Sequence, residues 1–484
     1  MMSYRRILRI LGIFIMLFSV SMLPPIGVSL YYHDQEIFPF LISFGLVFTI
    51  GCTCWGCNYH ITQDIKIREG FIVVSLFWIV LSIFAALPLI LAHHPHLNVT
   101  DAVFEAISGL TTTGASIIDH IDQLPPAILY YRQQLHFLGG MGVVILAIAI
   151  LPMLSIGGLQ LYQAEIPGPK KDVKLTPRIA ETAKALWYIY FGLVVLCALF
   201  YWAAGMPLFN AIGESYSTVA TGGFSMHDQS IAYYQSSLIN YIGALFMFLG
   251  ATNFTLHFAA LKSGNIESFL RDEEFRTYVL IIMIGFLATF AILWFYQIYQ
   301  SPSEAISKGL FNVISLVTTT GLTVGNFQQW PSLIPLLYMV LGIIGGCASS
   351  TSGGIKMVRL LLMFRQGMRE IRRLIHPRAI IPIKLSGNVV AEPLTQAIWG
   401  FIAVFLFLFV TLGLILAGLG MDIESILGSL VACLANVGTG VGEVANGFSQ
   451  LTPPCKWTLS LAMILGRLEI FTVLVLFISD FWHC

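Results

Sequence analysis

The sequence predicts an all-α, multi-span membrane protein in which four helix–pore loop–helix repeats in a pseudo-fourfold arrangement follow an N-terminal helix pair. The chain is 57% hydrophobic and only 10% charged, whereas a soluble domain carries about 25% charged residues. Its apolar residues form blocks of about 20, the length that crosses a bilayer as a helix. Between these blocks a hydroxyl-rich motif ending in glycine recurs, first as SGLTTTGAS at 108–116.

Ten apolar blocks are predicted to span the membrane. The eighth is too long for one span and contains a stretch rich in glycine and serine, so it is predicted to be interrupted. The blocks lie at 7–30, 38–57, 70–92, 128–154, 185–204, 236–261, 278–299, 332–364, 394–419 and 457–479.

The basic residues orient these spans. By the positive-inside rule, loops rich in lysine and arginine face the cytoplasm. Of the 25 lysines and arginines, 21 fall in alternate loops and at the N-terminus, in segments 5–9, 66–68, 170–184, 262–276 and 356–384. Both termini are therefore expected to be cytoplasmic. The net charge of zero implies no polyanionic partner such as nucleic acid.

Four outer loops each contain an apolar stretch that is too short to cross the membrane. Such stretches predict re-entrant helices, which are tolerated where the irregular backbone after them is buried in protein or lines a water-filled cavity. They lie at 101–111, 210–220, 303–317 and 422–434.

The four re-entrant stretches are copies of one another. A shift of 109 pairs Glu105 and Gly114 with Glu214 and Gly223, and a shift of 207 pairs TTTG at 111–114 with TTTG at 318–321. A shift of 324 keeps Gly114 as Gly438 in a weaker fourth copy. The expected units are an N-terminal extension and pore repeats 1 to 4, at 1–69, 70–184, 185–277, 278–393 and 394–484.

Glycine turns at the centre of four repeats predict an ion path. Glycine reaches positive φ without steric cost, and a ring of backbone carbonyls can replace the hydration shell of a cation. Threonine adds neutral oxygens, and the negative C-terminal end of each short helix favours a cation. For a single copy, a glycine C-cap of a helix explains the motif as well. Four copies in equivalent loops favour the pore.

The segments FEAISGLTTTGAS, GESYSTVATGGFS, LFNVISLVTTTGLT, LANVGTGVG, GGCASSTSGGIKMVRLL and LGRLEIFTVLVLF resemble the Trk/Ktr/HKT superfamily of K⁺ uptake proteins, specifically its TrkH/TrkG-type membrane subunits. The resemblance covers essentially the whole chain. It implies that K⁺ binds at a filter whose residues here are Thr112, Thr113, Gly114, Thr221, Gly222, Gly223, Thr319, Thr320, Gly321, Asn436, Val437 and Gly438.

Two positions bear on the selectivity that the resemblance implies. Some relatives carry serine in the first filter segment and favour Na⁺, so Gly114 implies K⁺. The family pattern leads us to expect proline where Thr439 stands in the fourth segment. The function implied is K⁺ uptake through a channel-like filter, and the alternative is a Na⁺- or H⁺-coupled K⁺ symporter on the same fold.

The interruption of the eighth block is a candidate gate. A phosphate-binding loop is excluded because Lys356 follows Ile355 and no serine or threonine comes after it. A packing kink is the alternative, since glycine and serine pairs kink helices. The resemblance implies an intramembrane gate below the filter, formed by Gly345, Gly346, Ala348, Ser349, Ser350, Thr351, Ser352, Gly353 and Gly354.

Arg467 stands inside the last apolar block, where a charge is costly. We expect it to face the conduction path below the filter, as the resemblance also implies. The alternative is a structural ion pair with an acid elsewhere; Glu469 is two residues away and faces elsewhere on a helix.

The basic segment Arg359–Arg378 has two interpretations. It anchors the protein to anionic lipid, or it docks a soluble regulator. The resemblance implies a TrkA-like nucleotide-binding ring as that regulator, a homodimer of this chain and a bacterial inner membrane. The cysteine spacing predicts no metal site. We find no catalytic motif and expect no enzyme activity, and no organic cofactor bound by this chain.

Overall fold

The computed structural model describes residues 4–60, 67–149 and 175–482, which are mostly helical. The predicted cytoplasmic residues Lys66, Lys170, Lys171 and Lys174 lie outside the described residues. A two-stranded antiparallel hairpin, β1 (Lys384–Leu385) and β2 (Asn388–Val389), interrupts the helices on the predicted cytoplasmic side. The apolar pattern does not predict this hairpin.

The N-terminal pair consists of α1 (Tyr4–Val20) and α2 (Leu23–Tyr32), which together form the first predicted span, and α3 (Ile37–Gly56). Helices α1 and α3 cross at two glycines. A Cβ atom on Gly12 would lie 2.7 Å from the backbone nitrogen of Trp55, and one on Gly51 would lie 2.9 Å from that of Met16. The absence of side chains at this crossing therefore allows the two backbones to pack directly.

Four units of helix, short helix and helix follow, in agreement with the predicted fold class. Repeat 1 contains α4 (Ile67–Leu91), α5 (Val99–Leu110) and α6 (Pro126–Ala149). Repeat 2 contains α7 (Leu175–Ala203), α8 (Leu208–Val219), α9 (Ser237–Gly250) and α10 (Phe254–Ser263), and α11 (Glu267–Arg271) leads to the next unit. The exact boundaries between repeats remain predictions.

Repeats 3 and 4 follow the same order, and in each of them the helix after the short helix is interrupted, as it is in repeat 2. Repeat 3 contains α12 (Glu273–Phe295), α13 (Pro302–Val317), α14 (Leu333–Ile344) and α15 (Met357–Ile375). Repeat 4 contains α16 (Glu392–Gly418), α17 (Ile423–Leu434), α18 (Pro453–Arg467), α19 (Phe471–Leu474) and α20 (Ser479–Trp482).

The described residues contain six helices long and apolar enough to cross a membrane, formed by α1 with α2, then α3, α4, α7, α12 and α16. Two bent pairs raise the number of possible spans to eight. The remaining two predicted spans correspond to α6, which runs to the edge of the described residues, and to the pair α14–α15.

The sixth and tenth predicted spans are each bent sharply, a feature that the apolar pattern does not predict. Helices α9 and α10 meet at 93°, and α18 meets the segment that starts with α19 at 106°. At the first break Asn253 caps α10 by accepting a hydrogen bond from the Thr255 backbone N–H. The carbonyl of Ala251, freed by the break, accepts a hydrogen bond from the Cys347 N–H in the loop of repeat 3. Hydrogen bonds with distant parts of the chain therefore pair the backbone groups that the break exposes. Apolar patterning does not reveal such bonds.

The re-entrant stretches form helices as predicted. They are α5, α8, α13 and α17, each of 12 to 16 residues and buried over most of its length. Asn98 and Asp422 cap α5 and α17 by accepting backbone N–H groups in the first turn, which satisfies donors that a helix start leaves unpaired. We call these four elements the pore helices.

Candidate ion-conduction site

Each pore helix ends in the same unusual backbone turn. One residue after the helix C-cap takes a left-handed conformation, with φ of 49° at Thr112, 50° at Thr221, 55° at Thr319 and 54° at Asn436. Positive φ is rare for a β-branched residue and costs free energy. Four occurrences at equivalent positions indicate that the surrounding fold enforces this conformation.

Two residues further on, a glycine with positive φ completes each turn. The φ angles are 84° at Gly114, 96° at Gly223, 78° at Gly321 and 84° at Gly438. These glycines touch the neighbouring repeat so closely that no side chain fits. A Cβ atom on Gly114 would lie 2.2 Å from the Gly222 carbonyl oxygen, and one on Gly223 would lie 2.3 Å from that of Thr320.

The same contact continues around the molecule until it closes. A Cβ atom on Gly321 would lie 2.0 Å from the Val437 carbonyl oxygen, and one on Gly438 would lie 2.2 Å from the Thr113 carbonyl oxygen. Repeat 1 therefore meets repeat 2, repeat 2 meets 3, 3 meets 4 and 4 returns to 1. We call this arrangement the glycine ring. Its four glycines all border one outer cavity.

The fourth segment joins the ring although its sequence is the most divergent. Asn436 stands where the other segments have threonine, and asparagine tolerates positive φ better than a β-branched residue does. Its side-chain amide donates hydrogen bonds to the Thr113 hydroxyl at 2.9 Å and to the Met463 carbonyl at 3.0 Å. Thr439, in the position where proline was expected, leaves the φ of Gly438 equal to that of Gly114.

The threonines of the predicted filter use most of their hydroxyls within the protein. Thr111 and Thr113 share a hydrogen bond of 2.7 Å, as do Thr318 and Thr320. The hydroxyl of Thr112 is buried and has no hydrogen-bond partner in the described residues. Backbone carbonyls, more than hydroxyls, are therefore the oxygens that this ring can offer to an ion.

On each pore helix, a polar side chain accepts a hydrogen bond from the backbone of the segment that follows the ring glycine. We call this contact the clamp. Glu105 accepts hydrogen bonds from the Ser116 hydroxyl and the Ile117 N–H, at 3.0 and 2.9 Å. In repeat 2 Glu214 accepts from Ser225 and Met226, at 2.7 and 2.8 Å. Asn312 makes the equivalent bond to the Val324 N–H, and in repeat 4 the Ser425 hydroxyl accepts from Glu443. The alignment of Glu105 with Glu214 was the only sequence signal for this clamp.

The charge on the two glutamates is balanced differently. Arg132 is fully buried and contacts Glu105 with nitrogen–oxygen distances of 2.8 Å, while its guanidinium lies 4.3 Å from the centre of the Phe224 ring. Glu214 is equally buried, and its Oε2 atom has no hydrogen-bond partner in the described part of the chain. The sequence analysis does not single out Arg132; an arginine inside the apolar block 128–154 was the available signal for this role.

On the side of the ring that is predicted to face outward lies a cavity of about 530 Å³, which we call the outer vestibule. Asp119, Asp228 and His227 are among the side chains that line it. Asp122 contacts His227 with an oxygen–nitrogen distance of 2.6 Å. Partial burial raises the pKa of Asp122, but hydrogen bonds with His227 and Asp228 outweigh this effect, so its pKa lies below the ordinary value. Asp119 and Asp228 thus place two acidic side chains in the wall of the vestibule.

On the opposite side of the ring, the predicted gate segment forms a non-helical loop between α14 and α15, which we call the intramembrane loop (Gly345–Lys356). It contacts the filter segments of three repeats directly. The Thr351 hydroxyl lies 3.1 Å from that of Thr221, and the Gly353 N–H donates to the Thr319 hydroxyl at 2.6 Å. The Gly354 N–H donates to the Ala435 carbonyl at 2.9 Å.

Arg467 reaches the same loop. Its Nη1 atom donates to the Thr351 carbonyl at 2.9 Å, and its Nε and Nη2 atoms are buried without hydrogen-bond partners in the described residues. Glu469 pairs instead with Arg359 at 2.6 Å. The structure thus joins the intramembrane loop, the filter segments and Arg467, which the sequence analysis singled out separately. The basic helix α15 begins directly after the loop.

Comparison with known proteins identifies the family. A family model described as TrkH, cation transport protein, matches residues 37–483. The chain belongs to the TrkH family of cation transport proteins. The Trk system potassium uptake protein TrkH of Vibrio parahaemolyticus is 47% identical over 484 residues, which cover 100% of both chains. TrkH of Escherichia coli K12 is 46% identical over 482 residues, again covering 100% of both.

Solved structures give the same answer for the fold. The crystal structure of the potassium transporter TrkH from Vibrio parahaemolyticus matches with a TM-score of 0.93 and 45% identity, and the match covers 100% of each chain. The TrkH family is one of transport proteins and not of enzymes, as the sequence predicted.

The buried pair of Arg132 and Glu105 predicts a large loss of stability when one partner is removed. Arg132→Leu leaves the Glu105 carboxylate buried without its cation, which should lower the free energy of unfolding by about 3–5 kcal/mol. Unfolding in detergent, followed by tryptophan fluorescence, measures this change. Arg271→Leu removes an exposed pair with Glu267 and serves as a control, with an expected loss of about 1 kcal/mol or less. Equal losses in the two variants would contradict the prediction.

Proposed function

We propose that this chain conducts K⁺ into the cell through the glycine ring, that the intramembrane loop gates the path and that a cytosolic nucleotide-binding regulator controls the loop. The relatives named as potassium uptake proteins support K⁺ as the transported ion. The proposed location is the bacterial inner membrane, with both termini cytoplasmic, in keeping with the distribution of basic residues.

The observation that carries the proposal is a closed circle of four contacts, in each of which a ring glycine meets a carbonyl of the next repeat. A K⁺ ion gives up water only where several oxygens replace it at once. Carbonyls from four repeats around one opening can do this, and they stay neutral, so the ion is also released. Asp119 and Asp228 in the wall of the outer vestibule attract cations to the approach to the ring.

The position of the intramembrane loop supports its role as the gate. It occupies the space against the filter segments of repeats 2, 3 and 4, so an ion leaving the ring meets it. Loop backbone has no continuous hydrogen-bond ladder and can move more easily than a helix. Arg467 adds a positive charge at this level, which lowers the occupancy of cations while the loop is in place.

The ring predicts that a side chain at Gly321 abolishes selective K⁺ uptake. The Cβ atom of Gly321→Ser would lie 2.0 Å from the Val437 carbonyl oxygen, so the ring must distort and its carbonyls lose their spacing. We expect K⁺ uptake to fall at least tenfold, a loss of about 1.4 kcal/mol or more in transition-state stabilisation. Growth of a K⁺-uptake-deficient bacterium on low K⁺ and K⁺ flux in proteoliposomes measure it.

Gly325→Ser is the matched control, because Gly325 has nearly the same φ, 80° against 78°, and borders the same cavity. Its Cβ atom would first meet the Tyr299 hydroxyl at 3.2 Å and no ring carbonyl. Equal uptake defects in the two variants would count against the ring. Failure of the unaltered chain to restore growth, with the protein present in the membrane, would refute K⁺ uptake itself.

Shortening the intramembrane loop tests the gate. Deletion of residues within Ala348–Gly353 should raise K⁺ flux in proteoliposomes without a regulator, because the obstruction below the ring is removed. An increase of roughly tenfold corresponds to a closed state favoured by about 1.4 kcal/mol. A purified deletion variant with unchanged flux per molecule would show that the loop is only a packing element.

Arg467→Ala tests the charge below the ring. The substitution removes a buried cation and its bond to the Thr351 carbonyl, so the flux per molecule should rise several-fold while the amount of protein in the membrane changes little. Quantified uptake per molecule separates the two effects. Reduced protein with normal flux per molecule would assign Arg467 a structural role instead.

A further inference from the structure

Two adjacent glutamates at the beginning of α12 contact the intramembrane loop and the β1–β2 hairpin. Glu274 is almost completely buried, with 4% of its surface exposed. Its Oε1 atom accepts the Ala348 N–H at 2.6 Å and the Val358 N–H at 3.2 Å. Ala348 belongs to the intramembrane loop, and Val358 lies in the first turn of α15, just after the loop ends. One carboxylate oxygen therefore joins the loop to the helix that follows it.

The contact of Glu274 with the two N–H groups is strong because its acceptor is a carboxylate. A carboxylate that accepts backbone N–H groups forms charge-assisted bonds, which are stronger than bonds to a neutral acceptor. The N-terminus of α15 adds a favourable helix dipole. Movement of the loop away from α12 breaks the bond from Ala348 and removes one donor from a buried carboxylate, which costs free energy.

The neighbouring Glu273 binds a different structure. Its Oε2 atom contacts the Arg365 Nη1 atom at 2.8 Å and accepts the Ser386 N–H at 2.9 Å. The Glu273 N–H in turn donates to the Ser386 hydroxyl at 3.2 Å. Ser386 is in the turn of the β1–β2 hairpin, within the predicted cytoplasmic segment. Adjacent residues of one helix end therefore hold the loop and the cytoplasmic hairpin.

We propose that Glu274 is a positioning residue that latches the intramembrane loop in its closed conformation, and that Glu273 couples this latch to the β1–β2 hairpin. This inference rests on the proposed role of the loop as the gate. The hairpin holds the start of α12 in place through Glu273, so a protein that docks on the cytoplasmic face and displaces the hairpin releases the start of α12. The displacement moves the Glu274 carboxylate away from Ala348 and frees the loop.

The test measures K⁺ flux of the full chain in proteoliposomes without a regulator. Glu274→Gln keeps the size of the side chain and removes its charge, so the latch weakens. Basal flux should rise roughly fivefold, the ratio that corresponds to the free-energy difference between a hydrogen bond to a charged acceptor and one to a neutral acceptor. Glu273→Gln should raise it by a smaller factor. Glu267→Gln changes an exposed glutamate of α11 and should leave flux unchanged.

A second measurement reports the loop directly. Cys347 is buried beside Ala348, so its labelling by a thiol reagent, followed by peptide mass spectrometry, should accelerate in Glu274→Gln and not in Glu267→Gln. A residue with only a structural role would lower the amount of folded protein and leave both readouts unchanged. If Glu274→Gln fails to fold, Glu274→Asp replaces it, because the shorter carboxylate keeps the charge but cannot reach both N–H groups.

The outcomes separate the latch from the gate. Unchanged flux and unchanged Cys347 labelling in Glu274→Gln, together with raised flux in the loop deletion, would overturn the latch and leave the gate. Unchanged flux in the loop deletion would overturn the gate and the latch with it. Raised flux in Glu274→Gln with no effect of Glu273→Gln would overturn the coupling to the hairpin.

Discussion

The contact of a glycine with the carbonyl of the next repeat is the constraint on which the rest of the fold depends. It occurs four times, with 2.0 to 2.3 Å between the carbonyl oxygen and the place of the missing Cβ atom. A carbonyl oxygen can come this close only to a glycine. The four segments must also lie at the same level along the axis of the ring and have the same backbone curvature. The left-handed residues before the glycines and the clamps after them supply that geometry.

A second layer of the fold is built around the intramembrane loop. In repeats 2, 3 and 4, the helix that follows the pore helix breaks at the intramembrane loop or beside residues that contact it. The breaks lie at Ala251–Asn253, Gly345–Lys356 and Leu468–Ile470. Backbone groups released by one break are bound by another, as the Cys347 N–H is by the Ala251 carbonyl. The breaks are therefore mutually dependent, and movement of the loop alters the satisfaction of polar groups in three repeats at once.

Much of this arrangement could be predicted from the sequence. Blocks of about 20 apolar residues gave the spans, and the recurrence of Gly114 at Gly223, Gly321 and Gly438 gave the repeats and the pore helices. These features depend on local composition and spacing. The interruption after Ile344 was also visible, because glycine and serine cluster there.

The features that were missed depend on distant contacts. The breaks after Gly250 and Arg467 have no local signal strong enough to outweigh the apolar pattern around them. The pairing of Arg132 with Glu105, the bridge from Asn436 to Thr113 and the position of Glu274 against Ala348 join residues 27, 323 and 74 apart in the chain. One sequence contains no information that pairs them, since each side chain has several possible partners.

The ring is made by one chain, and this has a consequence for how its properties can change. In a pore of four identical subunits, one mutation alters all four sides of the opening together. Here a substitution alters a single quadrant, as the replacement of threonine by Asn436 already does while Gly438 keeps the φ of Gly114. Under the proposed function, selectivity and conductance can therefore change one quadrant at a time, while the three unchanged sides preserve the path for the ion.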